Sequence, residues 1–566
     1  MKNNKFLILL FLLIGFMSCT SNFEEINKNP NDITSDAANP KYLLTGAEYK
    51  LYAPTRYTYW RANLIHADRY AGYFCFGNSG SWWNDELGYK YHSGYTDAAW
   101  GMYGDYFKYI NSYLTVTSEE GGKYQNDKMY AVGLVLKSLF FQQFTDVFGD
   151  VPYSETGNTD ILQPKYDAQK DIYAGIIKDL DDAMAKIGDA TSTGEGESDL
   201  GSNDVIFSGD LQKWKKLANA LKLRVALRAY GADGADFATT AITEAMQGPF
   251  QEIGEDAVIT KDNSVSQWNS ASYADIWHRF GGKGSKWKVS ETMIKYLKDN
   301  NDPRLQFYAE PAEGGAKTFA RPDAAEDPDG YDKFPKRINY IKGVLEEAGA
   351  VFDFSMTDDS ATFVIPENTY YIGQPTRLGA EIKKYARWEF FSSCKDYIVG
   401  LDENSNEIAP ELVLTAAESF FLRAQAITMG LASGDANAMY QSGLRASMTY
   451  WGASDADVDN YLANAAMGSL TGDKNSDLEK IGVQRWIAAY TDGYEGWAIV
   501  RKTGFPKALS QGVSDIDIFG LGDLNGKYPQ RLRYGSKAYD LNGDQLQKAI
   551  DRQGPDVQAT ELWWAK

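Results

Sequence analysis

"MYAVGLVLKSLFFQQFTDVFGDVPYSE", Met129 to Glu155, is the stretch on which the fold turns. As far as Phe148 apolar side chains crowd every turn, and the polar ones fall in pairs at Lys137-Ser138, Gln142-Gln143 and Thr145-Asp146. A run of that length without strict alternation is a helix buried on most sides, not a strand. Gly149-Asp150 ends it, and Pro152 forces Val151 out of the helical region. Tyr153 is expected to pack back as the chain crosses to Pro164 and Asp167. Beyond Asp167, Ile172, Ile176, Leu180 and Met184 recur at every fourth position until Gly188 closes the pattern, giving a second, amphipathic helix. The turn therefore joins helix to helix.

The same rule extends along the chain. A helix pair is expected over Asp210 to Gly231 and Asp236 to Gly248. From Leu414 to Ser447 small residues Ala417, Ala424, Ala426 and Gly430 are set against large ones, with a break at Gly434-Asp435. That is about the length of a tetratricopeptide (TPR) unit, ~34 residues, in which small side chains let paired helices approach. A last strong helix runs from Lys480 to Gly504, kinked or split near Asp492-Gly493. Between these blocks, Asn22 to Tyr59, Gly72 to Gly101, Ala190 to Ser208, Phe250 to Lys288 and Glu310 to Pro410 read as long irregular segments, and such loops carry function. Ala361 to Gly373 is the best strand candidate. The expected fold is mainly α, with TPR-like helix pairs supporting a loop-rich half that has few short strands.

The amino terminus has two lysines, an apolar run from Phe6 to Met17, and then Ser18-Cys19. The run is shorter than the roughly 20 residues that span a bilayer, and a small residue before cysteine is the pattern of a lipoprotein signal. Residues 1–18 are thus expected to be a signal peptide and 19–566 a single mature domain, since no composition break marks a linker. Acyl chains on Cys19 would hold it at a membrane surface. Removing 1–18 deletes Lys2 and Lys5 and takes the formal charge two units below −20. So acidic a chain repels nucleic acid. Cys75 and Cys394 then remain, either as one pair or as two buried thiols.

Aromatic residues make up 14% of the chain, with Tyr 37 and Trp 14, and they concentrate in two places. The first is Arg69 to Tyr109. A sugar ring stacks its CH face on Trp or Tyr and pairs its hydroxyls with amides and carboxylates, so Trp82, Trp83 and Asn84 in "GNSGSWWNDE" lead the binding candidates, with Tyr73 and Phe76 beside them. Tyr95, Trp100, Tyr103 and Phe107 read instead as one helix face in the core. The second is "SQWNSASYADIWHRFGGKGSKW", with Trp268, Tyr273, Trp277, His278 and Trp287 around a glycine loop. Its "GGKGSK" lacks Walker spacing. His66, His92 and His278 are the only histidines, and without a metal motif no transition-metal site or cofactor is expected. "DLNGDQ", Asp540 to Gln545, has glycine at the fourth place where a calcium loop needs it at the sixth, and reads as a solvated turn.

The run Phe144 to Ala183, "FTDVFGDVPYSETGNTDILQPKYDAQKDIYAGIIKDLDDA", resembles a signature of the SusD/RagB family of outer-membrane nutrient-binding lipoproteins. "FEEINKNPND", "WKKLANALKLRVALR", "DPRLQFY", "AESFFLRAQA", "IGVQRWIAAYTDGYEGWAIVRKTGFP" and "YPQRLRYGSKAYDLN" to "LWWAK" are similar to family blocks in family order, over essentially the whole mature chain. The resemblance implies four TPR-like helix pairs below a loop-rich ligand lobe that includes the second aromatic cluster. It also implies an exterior-facing outer-membrane location and a SusC-like TonB-dependent transporter as partner. Most of the shared motifs would then be scaffold. Glycan-binding members are similar in using a tryptophan and an asparagine from the corresponding early loop, which supports Trp82, Trp83 and Asn84. The ligand class stays open between SusD-like glycan and RagB-like peptide binding, with aromatic density tilting towards glycan. A surface glycoside hydrolase, needing two carboxylates about 5 to 9.5 Å apart, is the rival, and a TPR-like scaffold for protein partners alone is a third reading. No acidic pair stands in a recognisable catalytic context, so a non-enzyme is expected.

Overall fold

The computed structural model describes residues 38–52, 58–76, 89–158, 160–260, 277–278, 281–282, 287–401 and 408–566. Cys19 and the expected signal segment lie outside them. The first half holds α1 (Pro40–Tyr52), a π-helical turn (Tyr59–Asp68), α2 (Ser93–Ser118), α3 (Asp127–Phe148), α4 (Gln169–Ile187), α5 (Leu211–Ala229) and α6 (Phe237–Ala245). Consecutive helices pack on one another from α1 to α6. Then come α7 (Glu291–Asp299), α8 (Pro328–Glu347), α9 (Ala416–Thr428), α10 (Ala436–Tyr450), α11 (Asp455–Asn464), α12 (Lys474–Ala488), α13 (Gly493–Thr503) and α14 (Ser536–Gln553). Here α9 packs on α10 and α12, and α12 on α13.

Side chains start these helices where the sequence supplies an acceptor. Asn126 accepts from the amides of Lys128 and Met129, Asp210 from Gln212 and Lys213, and Asp435 from Ala438. On α4, Ile172, Ile176 and Leu180 are fully buried, each contributing about 1.5–3 kcal/mol. Gly443 of α10 lies against the Phe421 ring of α9, where a Cβ would come within 2.7 Å. This is the close approach that small residues were expected to permit. One apolar cluster runs from Leu44 to Trp564, with a satellite between α9, α10 and α11.

The opening turn is built as its residues dictate. Gly149 has φ 86°, and a Cβ there would strike the Gln553 side chain. The strands β1 (Phe74–Phe76), β2 (Val151–Pro152) and β3 (Tyr166–Asp167) come first in the chain, and β2 pairs antiparallel with β3. Tyr153 packs back edge-on to Phe141 at 4.8 Å and donates to Asp179 at 3.0 Å. Beyond them lie β4 (Ala257–Ile259), β5 (Trp287–Val289), β6 (Gly315–Ala320), β7 (Asp353–Met356), β8 (Ser360–Ile365) and β9 (Glu411–Leu414). They form three small sheets, β1 with β5, β4 with β9, and β6-β8-β7, so the expected strand near 361–373 is β8.

Several expectations need correction, and one left open is decided. The segments Asn22 to Tyr59 and Glu310 to Pro410 are not irregular throughout, because they contain α1 and the long α8. In α8, Phe334, Ile338, Ile341 and Leu345 recur at helical spacing and are buried. Helix α2 starts at Ser93, inside the third such segment, Gly72 to Gly101. Lys480–Gly504 is not the last helix: α14 follows, and "DLNGDQ" lies inside it at a break where Asn542 leaves helical angles and donates to Pro164 O. Lastly, Cys75 and Cys394 are two free, buried thiols.

Candidate ligand-binding site

The resembling motifs meet first in a buried ionic hub. Asp146 comes from α3, Arg224 and Arg228 from α5, Glu418 from α9, Arg485 from α12 and Glu495 from α13. Arg228 donates to Asp146 and to Glu495, both at 2.5 Å. Arg224 grips Glu418 with two bonds, at 2.8 and 2.5 Å, the bidentate fork that guanidinium geometry favours. Arg485 reaches Glu495 at 3.1 Å and Glu418 at 3.3 Å. Burial would raise the Glu495 carboxyl, but Arg228, Arg224 and Arg485 hold it at about 2. Burial and then the Glu495 charge push Asp492 up to about 7. Asp146 also accepts from the Tyr173 hydroxyl and, at 2.9 Å, from the Trp564 indole. Three guanidiniums answered by three carboxylates fasten five helices together. These residues are scaffold.

The two segments that carry the candidate ligand residues join the described fold elsewhere, at the β1/β5 stem. The register pairs Phe74 with Val289, Cys75 with Lys288 and Phe76 with Trp287. The chain leaves β1 at Phe76 towards Trp82, Trp83 and Asn84, and enters β5 at Trp287 from the side of Trp268 and Tyr273. Because those two ends are cross-strand partners, the two aromatic segments share one root. The stem is fixed from behind: Lys288 is fully buried and donates to Ser393 Oγ at 2.7 Å, and Val289 N donates to Ser392 O at 3.0 Å. Burial pushes the nearby Cys394 thiol up to about 12, leaving it a packing group rather than a nucleophile.

Trp82, Trp83, Asn84, Trp268 and Tyr273 lie outside the described residues. Trp277 and Trp287 are brought together, stacked with centroids 6.4 Å apart and only 2% and 6% exposed, as a floor to the stem. His278 shares a 2.9 Å hydrogen bond with Gly400 O. Phe76 contributes a paired backbone. Tyr73, expected among the binding residues, is instead wholly buried, donates to Trp486 O at 2.7 Å and stands edge-on to Tyr490. It has no face to offer a ligand, because its ring is consumed by the contact between the stem and α12.

Trp100, Tyr103 and Phe107 do face the core, Tyr103 stacking on Phe144 at 4.2 Å. Tyr95 is different. At the solvent end of α2 it stacks on exposed His92 at 4.0 Å, with Trp60 at 6.0 Å and the Arg61 guanidinium 5.8 Å from its ring. Tyr89, which resumes the chain after residues 77–88, carries Arg377 at 4.4 Å and Arg69 at 5.1 Å over its ring. Sequence reasoning missed this cluster, and the available signal was position: these aromatics border the tryptophan segment.

The family model described as "Starch-binding associating with outer membrane" matches residues 30–326 and 370–534. Among solved structures, a chitin-binding protein is 26% identical with a TM-score of 0.70, over 93% of this chain and 100% of its own. A SusD-like protein from Bacteroides thetaiotaomicron is 22% identical with a TM-score of 0.67, over 93% and 98%. A chitin-binding SusD homolog from Flavobacterium johnsoniae is 20% identical with a TM-score of 0.68, over 94% and 99%. At such identities the last two share the fold. No curated protein matches the chain. Among the described residues no helix is long and apolar enough to cross a membrane. The matched segments contain every residue of the ionic hub and both strands of the stem, and the chain belongs to the SusD-like family.

Proposed function

We propose that this protein is a non-catalytic lipoprotein, anchored through Cys19 on the outer face of the outer membrane, that captures a glycan and hands it to a SusC-like TonB-dependent transporter. The observation that carries this reading is the pairing of Phe76 with Trp287, which roots two aromatic-rich segments on one stem. Two such segments suit an oligosaccharide, whose successive rings offer CH faces for stacking and hydroxyls for side chains such as Asn84. Chito-oligosaccharides come first among candidate ligands, because the relative at 26% identity is described as chitin-binding.

The test is calorimetric titration of the chain from Thr20 onward with chito-oligosaccharides, malto-oligosaccharides and mixed peptides. Saturable binding to one glycan with no product formed is expected. Binding to peptides alone, or release of a shorter sugar, overturns the reading. Cys19→Ala is expected to free the protein from the membrane fraction, and retention there would remove the anchor.

A further inference from the structure

Helix α1 buries an acid. Glu48 is 0% exposed, on the face that also carries Leu44, Ala47 and Leu51. A carboxyl group in such a place stays charged only beside a cation or a full set of donors. What it faces is the loop of residues 190–209. Val205 N donates to Glu48 Oε2 at 2.9 Å, and the residue before it is Asp204, also 0% exposed. Asp204 acts as an acceptor throughout: Oδ1 receives the amides of Ile206 and Phe207 at 3.0 Å, and Oδ2 receives Gly209 N at 2.8 Å and the Trp214 indole at 2.7 Å. It therefore brings its negative charge against Glu48. The other Glu48 oxygen, Oε1, is buried and has no hydrogen-bond partner, nor have the hydroxyls of Tyr106 and Tyr113 on α2.

We propose that Glu48 carries a proton in the folded protein, and that this proton latches α1 to the 190–209 loop. A protonated Glu48 carboxyl has the Asp204 side chain as its acceptor, and the proton removes the repulsion between two buried carboxylates. Burial first, and Asp204 second, push the Glu48 carboxyl well up. The other titratable groups around it are the phenols of Tyr106 and Tyr113 from α2 and Tyr52 from α1, all pushed up chiefly by burial and so neutral. The charge whose field acts on Glu48 is that of Asp204.

The latch does not work alone. Thr45 Oγ1 donates to Asn203 O at 2.6 Å and Lys41 Nζ to Gly196 O at 2.9 Å across the same seam. When hydroxide takes the Glu48 proton, water leaves and a second carboxylate remains beside Asp204. A carboxyl raised in the folded state stabilises fully below the ordinary carboxylate range, and that contribution is lost as pH rises through the folded value. The seam is thus expected to open on the alkaline side, releasing α1.

Hydrogen exchange of the intact protein tests this, read over α1 and the 199–210 segment against α9, from about pH 6 to about pH 10 and corrected for base catalysis. Exchange in α1 and the loop is expected to rise roughly tenfold or more towards the alkaline end while α9 stays protected. Glu48→Gln, which keeps the shape and cannot ionise, is expected to abolish the rise. The same alkaline opening in the Gln variant overturns the latch. Should that variant fail to fold, the native protein decides alone, because α1 protection that holds steady across the range also overturns it.

Discussion

Arg228 and Trp287 stand at the centres of two regions held together by opposite physics. Around Arg228 the interactions are directional and charge-assisted, and each carboxylate has its guanidinium. Around Trp287 the contacts are broad and apolar, a stacked indole floor on a three-residue ladder. The hub tolerates no change of partner, because a removed charge leaves its counterpart stranded. The stem fixes only where two segments begin, so what they carry is free to vary.

The comparison breaks most readily at the hub. Arg228→Ala leaves Asp146 and Glu495 without their cation and is expected to cost about 3–5 kcal/mol of folding stability in denaturant titration. A loss below about 1 kcal/mol would mean that the hub is not what fastens the helices. The pH dependence carries the same signature. Glu495 is held at about 2 against an ordinary 4.5, so its contribution is present above the ordinary value and is lost as pH falls from there towards about 2. Glu495→Gln should flatten that acid limb.

At the stem the expected effects are smaller and fall on binding. Trp82→Ala should lower glycan affinity by about 1–3 kcal/mol with the unfolding midpoint unchanged. An equal loss of stability would assign Trp82 to the core instead. Tyr73→Phe probes the boundary between the regions: it removes the donor to Trp486 O and should cost about 1 kcal/mol of stability without touching affinity. Weakened binding with full stability would put Tyr73 back in the site. Smallest of all, Lys336→Ala breaks exposed contacts with Asp515 and Asp517 and should change neither quantity measurably.

How much was legible in the sequence follows the same division. Helices with a clean period and a glycine stop, such as α4 before Gly188, could be read directly, as could the split at Asp492-Gly493. Helix α1 was hidden because Glu48, an acid, occupies a core position in its apolar stripe. Pro335 interrupts the pattern of α8, and the whole of that helix lies between the two segments matched by the family model, so no resembling block pointed to it. The aromatic segments were visible as candidates, yet their common root was not. Local pattern cannot show that Phe76 pairs with Trp287, and nothing in composition separates Tyr73, a core ring, from a ring open to a ligand.

The bond from the Trp564 indole to Asp146 bears on how non-local the centre of the fold is. Asp146 is satisfied from progressively more distant parts of the chain, by Tyr173, by Arg228 and by Trp564. The bond joins positions 418 residues apart, a separation whose loop-closure entropy has to be met before the contact repays it, so the centre of the molecule is closed by one of its most non-local contacts.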